Sequence, residues 1–271
     1  MNHKSPRAAV FFDAVHTLFD LTPSYIGAFA RVCRDFGHKV DEERMETEVR
    51  TRLRQFDREC RARTSHRCTH DSLAAYWHQF DEDVFRAMGL EDEAKALAAE
   101  LERRFDSGRY AHVFPDAIVS IRAVRKLVGV ATAILSNGTG GMQTCLEALG
   151  LAQEVETVLV SALLGYEKPD PEIFRLARET FGLPPERCLM VGDNVWADIE
   201  GAHAAGWKAV WLCHPRHTPV FSPSAAAAEA TKAPVATEAP AAPAPPPGVK
   251  VIASLAEFPA IVKAWVDSLK G

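Results

Sequence analysis

Short runs dominated by consecutive apolar residues punctuate the chain: AAVFF at 8–12, VATAIL at 130–135, TVLV at 157–160, CLMVG at 188–192 and KAVWLC at 208–213. Runs of this length without polar alternation are expected of strands covered on both faces. Between them lie stretches with helical spacing and recognisable ends. Ile118, Ile121, Val124 and Leu127 follow one face from a predicted N-cap at Asp116 to a stop at Gly129. In a second helix Asp170 is the predicted N-cap, Pro171 takes the first helical position and Gly182 lies past the end. Strand and helix alternate, which predicts an α/β fold with a mostly parallel sheet and helices on both faces.

Two stretches break that rhythm. Residues 21–112 are rich in Arg, Glu, Ala and Leu, carry helical spacing such as Tyr76, Phe80 and Val84, and offer no convincing strand. They read as an all-helical insertion, leaving residues 1–20 and 113–271 as the core. The second stretch, 222–248, is Ala/Pro-rich and holds no large apolar residue beyond one valine, so it is expected to be a flexible loop within the core. VKVIASLAEFPAIVKAW then supplies a short strand and a closing amphipathic helix.

Composition narrows the function classes. With 31 basic and 36 acidic residues the net charge is -5, which argues against broad binding to a nucleic-acid backbone. No run approaches a membrane span, and the apolar run near the N-terminus is broken by Asp13 and His16, which makes a poor signal peptide. Six cysteines without a CxxC pair read as reduced thiols, and a cytoplasmic location is expected. Cys60, His66, Cys68 and His70 in CRARTSHRCTH are metal-ligand types, but their spacing fits no zinc pattern, and the segment reads as a solvated connection between helices.

The candidate chemistry sits at strand ends, where open α/β sheets bind ligands. Asp13 ends the first run, Ser136 and Asn137 follow VATAIL, Lys168 lies beyond TVLV, and Asp193 follows CLMVG. Two carboxylates, a hydroxyl and an ammonium are the parts of a phosphoryl-transfer site. A carboxylate can attack phosphorus only when its repulsion from an anionic substrate is cancelled, which calls for Mg2+ and a lysine. Asp13 and Asp193 offer hard oxygen ligands for Mg2+, while Lys168 and Ser136 would hold the phosphate oxygens. The glycines of NGTGGMQ fail the dinucleotide pattern at Gln143 and read as a turn into a helix N-terminus.

These motifs resemble the haloacid dehalogenase superfamily, whose members are mostly phosphatases: FFDAVHTLF, ILSNG, GYEKPDPEIF and MVGDNVWADIEGAHAAGW stand in the family's order. The resemblance implies a three-layer Rossmann-like parallel sheet core with an inserted all-helical cap at 21–112. It implies Asp13 as nucleophile, the Val15 carbonyl and Asp193 as further Mg2+ ligands, Asp198 and Asn194 in support of the metal, and Thr17, Ser136, Asn137, Gly138 and Lys168 around the phosphate. The implied substrate is a small phosphorylated metabolite, hydrolysed through an aspartyl-phosphate.

Two positions depart from the family. Phosphatases of this type carry a second aspartate where this chain has Val15, and that residue's acid and base work is worth ~10^2 to 10^4 in rate. His16 stands where glycine is usual, and an imidazole can give and take a proton near neutral pH. Weak turnover, a phosphate- and metal-binding protein without turnover, and a 2-haloacid dehalogenase stay open as alternatives. GDNVWAD favours the phosphatase form, because dehalogenases have a shorter serine-asparagine version of this motif.

Overall fold

A computed structural model describes residues 6–214 and 245–269. The apolar runs become β1 (Ala8–Phe12), β4 (Val130–Ser136), β5 (Thr157–Val160), β6 (Cys188–Gly192) and β7 (Lys208–Leu212), with β8 (Lys250–Ile252) added near the C-terminus. They form one six-stranded sheet in the order β5-β4-β1-β6-β7-β8, and every pairing is parallel. All five residues of β1 are buried because both faces are covered. Val10 and Phe12 face α5 (Ala117–Arg125) and α10 (Phe258–Ser268), with the rings of Phe12 and Phe258 5.5 Å apart. Ala9 and Phe11 face α8 (Pro171–Glu179) and Trp207, whose ring lies 4.5 Å from that of Phe11. The protein is therefore an α/β molecule of three layers with a Rossmann-like sheet.

The helix ends divide between expectation and correction. Asp170 caps α8 as expected, accepting a hydrogen bond from the Glu172 N–H at 3.0 Å. Asp116 does precede α5, but its carboxylate does not cap that helix. It accepts instead from Ser254 Oγ at 2.6 Å and from the Ala256 N–H at 3.2 Å, so it organises the turn that leads into α10.

Four helices lie between the first and later strands of the core: α1 (Tyr25–Asp35), α2 (Glu42–Ala62), α3 (His70–Ala87) and α4 (Ala94–Asp106). They pack around a core of their own that includes Phe29, Val49, Leu53, Val84, Phe85 and Leu97. Arg104 is buried there, satisfied by Asp35 and Glu100 at 2.7 Å each and by Tyr110 Oη at 2.8 Å. The expectation of no strand in 21–112 is corrected at both ends. Phe19–Leu21 (β2) pairs antiparallel with Ala111–Val113 (β3), so the chain enters and leaves the helical unit through a two-stranded ribbon.

The Ala/Pro-rich stretch falls, up to residue 244, outside the described residues; Pro245–Gly248 form the turn into β8. All six cysteines are free thiols. Among the described residues no helix is long and apolar enough to cross a membrane.

Candidate active site

Because β1, β4, β5 and β6 run parallel, their carboxyl ends open on one edge of the sheet. Asp13 follows β1, Ser136 ends β4 and Asp193 follows β6. Lys168 lies between the short helix α7 (Ser161–Leu164), which follows β5, and α8. The structure brings Asp13, Lys168 and Asp198 into direct contact. Lys168 Nζ donates to Asp13 Oδ1 at 2.7 Å, to Asp198 Oδ1 at 2.6 Å and to the Leu135 carbonyl at 2.7 Å. An ammonium has three donors, so this buried lysine is fully satisfied.

Carboxylate oxygens of Asp13, Asp193 and Asp198 all lie within 4.8 Å of one another. Burial works against the charge of Lys168, but the Asp13 and Asp198 carboxylates outweigh it and raise the group further above its usual range. Asp198 is pushed up by burial, with Lys168 pulling the other way and Asp13 reinforcing the rise. Asp193 is raised well above the usual carboxylate range by burial and by the charges of Asp13 and Asp198. Three crowded carboxylates share one ammonium, so the cluster carries an excess of negative charge and a set of hard oxygen donors. That donor set fits Mg2+.

Local structure explains the composition of the loops. Gly192 precedes Asp193 because a Cβ there would meet Asp198 Oδ2 at 2.2 Å. Asn194 caps the turn at Val195–Glu200, accepting from the Ala197 N–H at 3.0 Å, while its own N–H donates to Asp198 Oδ2 at 3.0 Å. Asn194 thus orients Asp198 and leaves Asp193 to face the site.

The loop after β1 accounts for the departures seen in the sequence. His16 has φ +63°, the left-handed region that a glycine adopts without strain and in which histidine is enriched among other residues. Its Nδ1 lies 3.1 Å from Asp20 Oδ1. Val15 packs partly buried against the core and bridges to Phe19. Thr17 is fully buried, and its Oγ1 has no hydrogen-bond partner among the described residues.

Of the other expected phosphate ligands, Ser136 Oγ makes, among the described residues, one bond, to the neighbouring Asn137 carbonyl at 3.2 Å. Asn137 and Gly138 are committed within the protein. The Asn137 carboxamide pairs with both backbone groups of Lys168, and the Gly138 N–H donates to Ser161 Oγ at 3.0 Å. Cys60, His66, Cys68 and His70 form no metal-ligating group among the described residues. The expectation that their segment is solvated is corrected: His66 and Cys68 are buried, and Cys68 Sγ donates to the Ser161 carbonyl at 3.5 Å. Asp170 was expected only as a helix cap, yet its second carboxylate oxygen accepts from the His66 N–H at 2.9 Å. The polar run 63–70 carries no signal that separates a docked segment from a solvated one.

Known proteins share both the sequence and the fold. A phosphoserine phosphatase of Thermus thermophilus is 39% identical over 148 residues, which are 52% of this chain and 58% of that protein. An N-acylneuraminate-9-phosphatase of Rattus norvegicus is 29% identical over 210 residues, 75% of this chain and 82% of that protein. The chain thus spans little more than half the length of the first of these relatives. Among solved structures, the magnesium-bound HAD-hydrolase YfnB of Bacillus subtilis superposes with a TM-score of 0.68 at 18% identity, covering 95% of this chain and 99% of that one. A 2-haloacid dehalogenase of Pseudomonas syringae superposes with a TM-score of 0.59 at 24% identity, covering 95% and 99%. At these identities the structural likeness speaks for the fold alone. The family model described as haloacid dehalogenase-like hydrolase matches residues 8–206, and the chain belongs to that family.

Proposed function

We propose that the protein is a Mg2+-dependent phosphatase that acts on a small phosphorylated metabolite through an aspartyl-phosphate. The observation that carries this reading is the Lys168 ammonium 2.7 Å from Asp13, beside a cluster of three carboxylates. Curated relatives named as phosphoserine, glyceraldehyde 3-phosphate and N-acylneuraminate-9-phosphatases support it.

Asp13 attacks phosphorus in line, and the bond from phosphorus to the leaving oxygen breaks. Ser136 holds a non-bridging oxygen, while Lys168, whose three donors go to Asp13, Asp198 and the Leu135 carbonyl, aims the Asp13 carboxylate and sets positive charge beside the phosphoryl group. Asp13, the Val15 carbonyl and Asp193, with Asp198 and Asn194 in support, would hold Mg2+, which would supply positive charge against the phosphoryl oxygens. Thr17 offers the phosphate a hydroxyl, and Asn137 and Gly138 hold the loops around it. Because Val15 cannot move a proton, His16, oriented through Nδ1 by Asp20, protonates the leaving oxygen and then takes a proton from the attacking water. Water cleaves the bond between phosphorus and Asp13, releasing phosphate.

Val15 also favours a second reading, a phosphate- and metal-binding protein without turnover. Purified protein is assayed with Mg2+ on an aryl phosphate and, separately, on a 2-haloacid, with Asp13→Asn as the blank. Mg2+-dependent phosphate release that vanishes in Asp13→Asn is the expected result. Halide release without metal overturns it in favour of carbon chemistry, and Mg2+ binding without any release overturns it in favour of the binding protein.

A further inference from the structure

The connection between α2 and α3 touches three of the loops that build the site. It pairs with the loop that carries Lys168: Arg67 and Tyr166 form an antiparallel bridge, the Cys68 N–H donates to the Gly165 carbonyl at 2.9 Å, and the Glu167 N–H donates to the His66 carbonyl at 2.9 Å. Asp170 closes the same loop, accepting from the His66 N–H at 2.9 Å and from Ser65 Oγ at 3.3 Å. At the loop after β4, the Gly140 N–H donates to His70 Nδ1 at 3.3 Å, and a Cβ on Gly140 would meet His70 Cε1 at 2.6 Å. At the loop after β6, the His66 ring stands edge to face on Trp196 with centroids 5.4 Å apart, and the Arg61 guanidinium lies 4.6 Å from the same indole centroid.

We propose that Ser65–His70 is a positioning strap, which holds Lys168 between Asp13 and Asp198 by hydrogen-bonding the backbone of Gly165–Glu167 and the side chain of Asp170. Lys168 has no freedom to find its partners alone, since its place is set by the peptide groups on either side. Asn137 fixes its own peptide from below, and the strap fixes the preceding residues from the helical unit. The strap touches neither Asp13 nor the ammonium, so it acts through Lys168. A displacement of about 1 Å in such a group costs on the order of 10^2-fold in rate. The helical unit, by this reading, completes the site as well as covering it. The inference rests on the phosphatase reading for its kinetic consequence and on the backbone pairing for its physical one.

Asp170→Asn separates the strap from the helix cap, because asparagine caps a helix as well as aspartate does but cannot offer a second carboxylate oxygen to the His66 N–H. Steady-state kinetics on an aryl phosphate and amide hydrogen exchange are measured on the full chain. The expected result is a fall in kcat of ~10- to 10^2-fold with KM changed less than about threefold, and faster exchange at 65–68 and 165–168 while α8 keeps its protection. Unchanged exchange and unchanged kcat overturn the proposal. So does parallel loss of protection in α8, which marks a merely structural role. If the wild-type protein releases no phosphate at all, the phosphatase reading fails, and the exchange pattern alone decides the strap.

Discussion

Asn137 grips Lys168 with both ends of one carboxamide: Nδ2 donates to the Lys168 carbonyl at 2.8 Å, and Oδ1 accepts from the Lys168 N–H at 2.7 Å. The residue that ends one strand loop therefore sets the backbone of another. Asn137→Ala leaves both Lys168 groups without partners, at a cost of ~1 to 3 kcal/mol. A lowered urea midpoint, together with a drop in turnover, is expected. Asn137→Asp is expected to fare as badly, because a carboxylate cannot donate to the carbonyl.

The crowded carboxylates predict how the protein answers to metal. Mg2+ at a hundred times its dissociation constant stabilises a folded site by ~2.7 kcal/mol, visible as a rise in Tm that EDTA reverses. Asp193→Asn is expected to abolish the rise. A melting curve of that variant that still shifts with Mg2+ would place the metal elsewhere.

Leaving-group dependence tests the division of labour between Val15 and His16. His16→Gln is expected to slow an alkyl phosphate ~10^2-fold or more and an aryl phosphate far less, since an acidic leaving oxygen needs little protonation. Equal losses on both substrates would remove the acid role from His16. Val15→Asp is expected to raise turnover of the alkyl phosphate in the same assay.

In the helical unit, the Asp81 carboxyl is pushed up to about 8 by burial, although the Tyr25 hydroxyl bonded to it at 2.7 Å acts in the opposite sense. The folded state therefore holds a proton that the unfolded state releases in the ordinary carboxylate range. Stability is fully present below that range and declines as pH rises towards about 8, then levels off. Thermal melts of the wild type between about pH 6 and pH 9 should show this decline, and Asp81→Asn should flatten it. Wild-type and Asp81→Asn curves of the same slope over this window would show that Asp81 is ionised in the fold.

The sheet was legible because its central strands are buried on both faces and its edge strand β5 keeps an unbroken apolar run: AAVFF, TVLV and CLMVG begin and end where β1, β5 and β6 do. The ribbon of β2 and β3 was not, since three residues each, including Asp20 and His112, give no period to read. The meeting of Asp13 and Lys168 follows from strand ends, which sequence order locates, whereas Asp198, inside the turn after β6, was placed at the site only by the family resemblance. What the sequence hid was nonlocal backbone and side-chain pairing. Asp116 reaches across to Ser254 in preference to its own helix, Asn137 binds a peptide 31 residues away, and Ser65–Cys68 dock on a loop about a hundred residues on. No periodicity records such partners, because a polar residue looks the same whether water or a distant amide satisfies it.

The antiparallel pairing of Phe19–Leu21 with Ala111–Val113 has a mechanical consequence. Both crossings of the chain between the sheet and the four-helix unit run side by side and are hydrogen-bonded to each other. Neither crossing can slide along the other without breaking the pairing, so the two hold each other in register. Ser65–His70 meets the strand loops at a second and separate place, so the helical unit is fastened to the sheet at two points, and a strain that reaches one of them is shared with the other.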